Sequence, residues 1–269
     1  MMLGGREPRR ALADHSVTVT WPPHRPGPVD YKTCDIVIYA MTCQALKAER
    51  LRHGWTQETA ASRLGVSQPY LAMLETGKRR LTSKLANRVL AVYQSSPALV
   101  LPSDVPSYGD NASQMLAEDL AALGYPGFSY LRPQGWQAKN PAQVLLAALA
   151  HDELEPRLVE SLPWLVLRYS PLDDRWLVRE AKLRDLQNRL GFVVALARRL
   201  AQRRGDHDKV RVLEVLEAQL DRSRLAREDT LCRRVREPQR RWLVEHRPEE
   251  ARHWNLLTDW TVDALRYVA

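Results

Sequence analysis

The 269-residue chain has only three cysteines, two phenylalanines and no long apolar run. Cys34, Cys43 and Cys232 are odd in number and show neither CxxC nor Cys/His spacing. Neither a disulfide framework nor a zinc site is indicated, and reduced thiols without a special role are expected. No stretch approaches the roughly 18 apolar residues of a membrane helix. The opening MMLGGREPRR lacks the apolar segment of a signal peptide, so a cytoplasmic protein is expected. No GxxxxGK[ST], GxGxxG or GxSxG occurs, so phosphate loop, dinucleotide site and nucleophile elbow all lack their signature. His151-Asp152-Glu153 and Asp206-His207-Asp208 set a histidine beside carboxylates, but without two ligands one helical turn apart. They read as solvated loop or helix-end residues. No catalytic residue, metal or cofactor is expected, and the chain is not expected to be an enzyme.

Positive charge is present, and it is concentrated. Residues 41–95 hold nine Lys or Arg and three Glu, a balance of nine minus three, or +6, out of +8 for the whole chain. The other 214 residues therefore carry about +2. Such a local excess is the electrostatic footprint of a polyanion-binding segment, and affinity for DNA should fall steeply with salt.

Within that segment, residues 46–90 predict four short helices with a tight turn between the second and third. The first carries Leu46 and Leu51 inward and stops at Gly54, with Trp55 packing beyond. Thr56 caps the second, whose Ala60, Ala61 and Leu64 share a face, and Gly65 ends it. Ser67 caps the third, Pro69 sits in its first turn, and Leu71 and Leu74 turn inward. The small Ala60 and Ala61 let two helices cross closely. That leaves Gln68, Pro69, Tyr70 and Met73 at the front of the third helix to meet base edges: Gln pairs with adenine N6 and N7, and the others contact thymine methyls or sugars. Lys78, Arg79 and Arg80 follow Gly77 and would reach flanking phosphates, which position rather than specify.

This stretch resembles the helix-turn-helix of the Xre family, of the Cro and phage-repressor type, over about residues 43–95. Gln57 opens the second helix where the family has a phosphate-touching Gln, and Gly-Val-Ser-Gln-Pro-Tyr at 65–70 is similar to the family's usual turn. Glu75-Thr76-Gly77-Lys78 matches its Glu-Asn-Gly-Lys, with Thr76 standing where that Asn contacts phosphate. The resemblance implies a lambda-repressor-like fold and a structural pair between Arg50 and Glu75. With the hydroxyls of Thr56 and Ser67, the expected phosphate set is Thr56, Gln57, Ser67, Thr76, Lys78, Arg79 and Arg80.

Elsewhere, residues 1–40 combine Gly, Pro and scattered charge as a disordered or weakly ordered leader. VTVT at 17–20 is a candidate short strand, and Met1 and Met41 compete as the native start. Residues 96–112 read as a linker, and 113–269 as an all-α domain of five to seven helices. There Asn140-Pro141 opens a helix, and Pro163 interrupts another. Asp173 or Asp174 caps a long helix from Arg175 to about Arg204, bent at Gly191. The helical period resumes through VRVLEVLEAQLDRSRLA, and a last amphipathic helix runs from Pro248 through Leu265. The Arg and Glu density of 179–247 reads as solvated helix faces. Trp164, Trp176, Trp242, Trp254 and Trp260 are expected in core or interface packing, a small-molecule pocket being the alternative.

These readings describe a two-domain, all-α DNA-binding regulator that acts as a homodimer, repression being favoured over activation. The second domain would pair subunits, sense a small-molecule effector or, as in many antitoxins that resemble such fusions, bind a toxin.

Overall fold

A computed structural model describes residues 43–102, 104–131 and 139–266. The expected leader, VTVT, Met41, Cys34 and Trp136 lie outside the described residues. The architecture is mostly helical, as its sequence pattern predicts, with two separate apolar cores.

The first core belongs to α1 (Cys43–Arg52), α2 (Gln57–Leu64), α3 (Gln68–Glu75) and α4 (Ser83–Tyr93). Leu46, Ala60, Ala61, Leu64, Leu71, Leu74 and Val89 are buried in it. Gly54, at φ 65°, closes α1 with the paired bonds Gly54 N–H to Leu51 and Trp55 N–H to Arg50. Trp55 then packs on Tyr93, ring centroids 5.3 Å apart. Leu51 departs from expectation: it is 57% exposed against 1% for Leu46. Positions 46 and 50 share a helix face, whereas 51 lies well round the cylinder, so Arg50 takes the inward seat.

Leu99 and Val100 are the last residues packed against this core, and Val105 is the first packed against the second. Between them the chain is held to α6 (Pro141–Leu149): Asn140 Nδ2 donates to the Val100 carbonyl, and Gln143 Nε2 to that of Asp104 at 2.7 Å. Tyr108 is already buried, its hydroxyl donating to Asp119 of α5 (Ala112–Ala122).

The second core is built on α5, α6, α7 (Pro156–Tyr169), α8 (Asp174–Leu183), α9 (Gln187–Arg203), α10 (His207–Asp221), α11 (Glu237–His246) and α12 (Glu249–His253). That is eight α-helices among the described residues, more than the five to seven expected. Asn140 caps α6 through Ala142 N–H, and Asp173 caps α8 through Trp176 N–H. Helix α7 runs through Pro163 without interruption. Leu158, Val159, Leu162, Leu165, Val166 and Leu167 are all buried around it, and that burial outweighs the roughly 3 kcal/mol cost of an interior proline.

The single long helix expected over 175–204 is two. Asp185 adopts a left-handed φ of 57°, and Leu186 N–H bonds the Ala181 carbonyl at 2.8 Å, a Schellman closure with Asp in the position usually held by Gly. The apolar stripe nonetheless survives the break, since Leu177, Ala181, Leu186, Leu190, Val193, Val194, Ala197 and Leu200 are all buried. Helix α10 stops at Asp221, so the RSRLA segment is not helical. The expected last helix is also shortened. Asn255 turns left-handed at φ 52° just after α12, and Leu256–Leu257 (β2) instead pair in parallel with Asp229–Thr230 (β1). The aromatic stretch after Gly124 forms a 3₁₀ turn, Pro126–Leu131, with Phe128 buried.

The tryptophans divide. Trp176 and Trp254 are buried, while Trp242 is half-exposed and stacks on His246 with centroids 4.7 Å apart. Gly191 does not break α9; the Trp254 ring lies against it. Cys232 is buried, and desolvation pushes its thiol up to about 12, so little reactive thiolate exists near neutrality. Most arginines of 179–247 pair with a carboxylate, as in Arg198–Glu217 at 2.6 Å, Arg240–Glu228 at 2.7 Å and Arg189–Asp229 at 2.8 Å.

Candidate nucleic-acid interface

Each helix of the first domain is stopped and restarted by local chemistry. Thr56 Oγ1 accepts from Thr59 N–H at 3.1 Å, and Ser67 Oγ from Tyr70 N–H at 3.4 Å. Gly65, at φ 62°, closes α2, and Arg88 Nη1 donates to the adjacent Leu64 carbonyl at 2.9 Å. The inward Leu71 and Leu74 then leave Gln68 and Pro69 exposed at the front of α3.

A chain of hydrogen bonds connects that front to the domain interior. Arg50 donates in bidentate fashion to Glu75, Nε to Oε1 at 2.6 Å and Nη2 to Oε2 at 3.0 Å, and its Nη1 reaches the Trp55 carbonyl at 2.8 Å. Gln57 Nε2 donates to Glu75 Oε2 at 2.9 Å, and Gln57 Oε1 accepts from Gln68 Nε2 at 2.9 Å. Gln68 keeps its second N–H and its carbonyl oxygen, the donor and acceptor a bidentate contact with adenine needs. Gln57 likewise keeps one N–H suited to a phosphate oxygen. The motif placed Gln57 and Gln68 on the DNA side separately; their mutual bond spans eleven positions and has no signature in the sequence.

The other expected contacts are placed unevenly. Tyr70 and Met73 are half-buried, and Tyr70 packs against the domain core, so its ring is shared between interior and surface. Thr76 Oγ1 donates to its own helix at the Ala72 carbonyl, 2.8 Å away, leaving it without a donor for phosphate in this conformation. Thr56 and Ser67 are exposed at their helix starts.

The positive charge is also redistributed relative to the raw count. Arg50 is buried, Arg52 pairs with Glu49 at 2.8 Å, Arg88 braces α2, and Arg63 lies over the Trp55 ring at 4.2 Å. Lys78, Arg79 and Arg80 follow Gly77 (φ 74°), are exposed, and make no ion pair with any described residue. Fewer cations are thus available to phosphates than the sequence total implies: apart from Arg63 and Arg88, engaged as above, and Lys47 on α1, the exposed ones without an ion pair to a described residue are Lys78, Arg79, Arg80 and Lys84, all after α3.

Burial would raise the Glu75 carboxyl, but the Arg50 and Gln57 bonds and the guanidinium charge outweigh it and hold it below its ordinary 4.5. A group lowered in the folded state contributes stability that is complete above the unfolded value and lost as pH falls through the folded one. The stability advantage of the wild type over Glu75→Gln should therefore be constant near neutrality and shrink below about pH 4.5. Denaturant melts of both proteins across that range check this; a difference independent of pH would contradict the pairing.

Residues 46–100 match the family model described as Helix-turn-helix. No curated protein and no solved structure matches the chain. Among the described residues no helix is long and apolar enough to cross a membrane, and no group of three or more His, Cys, Asp or Glu is placed to hold a metal ion. A helix-turn-helix domain of the Xre and lambda-repressor type thus occupies residues 46–100, and it supports reading the protein as a DNA-binding transcription regulator.

Proposed function

We propose that the protein binds a specific operator as a homodimer and represses transcription by occluding a promoter. The observation that carries this reading is the exposed Gln68 amide, held in place through Gln57 and Glu75 and followed by the exposed Lys78, Arg79 and Arg80, which pair with no described carboxylate. One α3 contacts too few bases to select a single site. A two-fold pair sets two such helices in successive major grooves about 34–36 Å apart on one face of the duplex. On this reading the protein does no chemistry. The helical domain of residues 113–269 pairs subunits and receives an effector, with capture of a toxin as the competing use. Co-expression with the products of neighbouring genes separates the two.

Selection of bound duplexes from a random pool, followed by footprinting, should return a site with two half-sites spaced by one helical turn. On that site Gln68→Ala should cost about 1–3 kcal/mol while leaving affinity for random DNA nearly unchanged. Equal losses on both would remove Gln68 from base reading, and failure to retain any duplex at low salt would overturn the function itself.

A further inference from the structure

A cavity of about 670 Å³ opens beside the start of α7, with Tyr125, Phe128 and Trp260 among its walls. Its volume falls within the ~300–1,000 Å³ of small-molecule sites. Tyr125 and Phe128 are buried, their ring centroids 5.5 Å apart. Glu160 also lines it and is only 6% exposed.

Four carboxylates are buried among the described residues: Glu75, Asp119, Glu160 and Glu180. Three are neutralised by a basic side chain, Glu75 by Arg50, Asp119 by Lys139 and Glu180 by Arg184. Glu160 alone has no ion pair with a described residue. Its Oε1 accepts the backbone N–H of Arg266, and no described residue donates to Oε2. A buried carboxylate without a countercharge is costly unless something supplies one. The remaining charges of the cavity, Glu155 and Asp259 against Arg157 and Arg266, offset each other. The unbalanced charge is thus the single negative one of Glu160, set among aromatic faces that attract cations.

We propose that this cavity binds a small organic monocation, an amine or quaternary ammonium, with Glu160 as its counter-ion and Tyr125, Phe128 and Trp260 as its aromatic walls. The three carboxylates Glu155, Glu160 and Asp259 outnumber the two guanidiniums of Arg157 and Arg266 and so disfavour anions of the same size. The inference does not rest on DNA binding.

Calorimetric titration of the full chain with choline and with phenethylamine tests it, with 3,3-dimethyl-1-butanol and phenethyl alcohol as their neutral counterparts. At least one cation should bind at millimolar concentration or below, and its neutral counterpart at least about tenfold more weakly. Glu160→Gln retains an acceptor for the Arg266 N–H and should weaken the cation at least about tenfold. Trp260→Ala, at a partly buried position on the edge of the core, should weaken it by a similar factor and decides the matter should Glu160→Gln fail to fold by circular dichroism. Absence of binding by both cations, equal binding of the neutral compounds, or full affinity in the folded variants overturns the proposal. No DNA is present, so such a result leaves the operator reading intact, and a protein that ignores DNA can still pass this test.

Discussion

Gly191→Ala should destabilise the fold around the larger core by about 2–4 kcal/mol, although alanine in a helix interior ordinarily gains about 1 kcal/mol over glycine. The sign reverses because a Cβ at position 191 would lie 2.3 Å from two ring carbons of Trp254. Trp254 is completely buried and cannot swing aside into solvent. Either α9 or α12 must shift, and close-packed interiors yield little. Thermal unfolding should show a fall of roughly 2–4 °C per kcal/mol for a domain of this size. Trp254→Phe, itself destabilising, should be less so in the Gly191→Ala background than in the wild type. Additive losses in that double-mutant cycle would show that the ring and the added methyl do not meet.

A comparable loss, about 3–5 kcal/mol, is expected for Arg189→Ala. All the donors of this buried guanidinium are used. Nε and Nη2 bind the Asp229 carboxylate at 2.8 and 2.9 Å, Nη1 the Leu149 and His151 carbonyls at 2.8 and 3.1 Å, and Nη2 also Asp152 at 3.2 Å. The side chain thus joins α9 to the end of α6, to the loop after it and to β1. Removing it leaves the Leu149 and His151 carbonyls without this donor and the partly buried Asp229 carboxylate with the Thr230 N–H but no countercharge. Arg189→Lys keeps the charge but brings three donors in place of five and no planar fork, so it should recover only part of the loss. Urea unfolding of the three proteins ranks them; a lysine variant as stable as wild type would mean that charge alone, rather than geometry, matters at this site.

The helix-turn-helix was legible because its signals are local. Thr56 and Ser67 announce helix starts by side-chain chemistry, as Asn140 does outside the motif, and Gly54 and Gly65 announce stops by backbone freedom. Where the reading failed, tertiary packing or an unusual residue decided. Asp185 and Asn255 adopt the left-handed conformation that glycine marks more openly, so two helix ends passed unnoticed. The apolar period ran on across Asp185 because α8 and α9 both face the same core. Pro163 was overruled by the burial of its neighbours, and a strand pair of two residues each is too short to alternate. Of the candidate interface, residue types and their order were visible. The bond from Gln68 through Gln57 to Glu75 was not, because it joins three separate helical positions only once the helices cross. Neither was Glu160, buried without an ion pair among the described residues, because that depends on where the cations fold.

The anchoring of Gln68 bears on how discrimination between base pairs would arise. A mobile glutamine loses on the order of 0.5–1.5 kcal/mol of rotamer freedom when it docks, and it can swivel to tolerate more than one partner. Tethered to Gln57, this amide has surrendered that freedom before any duplex arrives. A matching base pair then meets a surface of the right shape from the outset, whereas a mismatched one gains no accommodation from the side chain. Selectivity here would come from stiffness as much as from attraction.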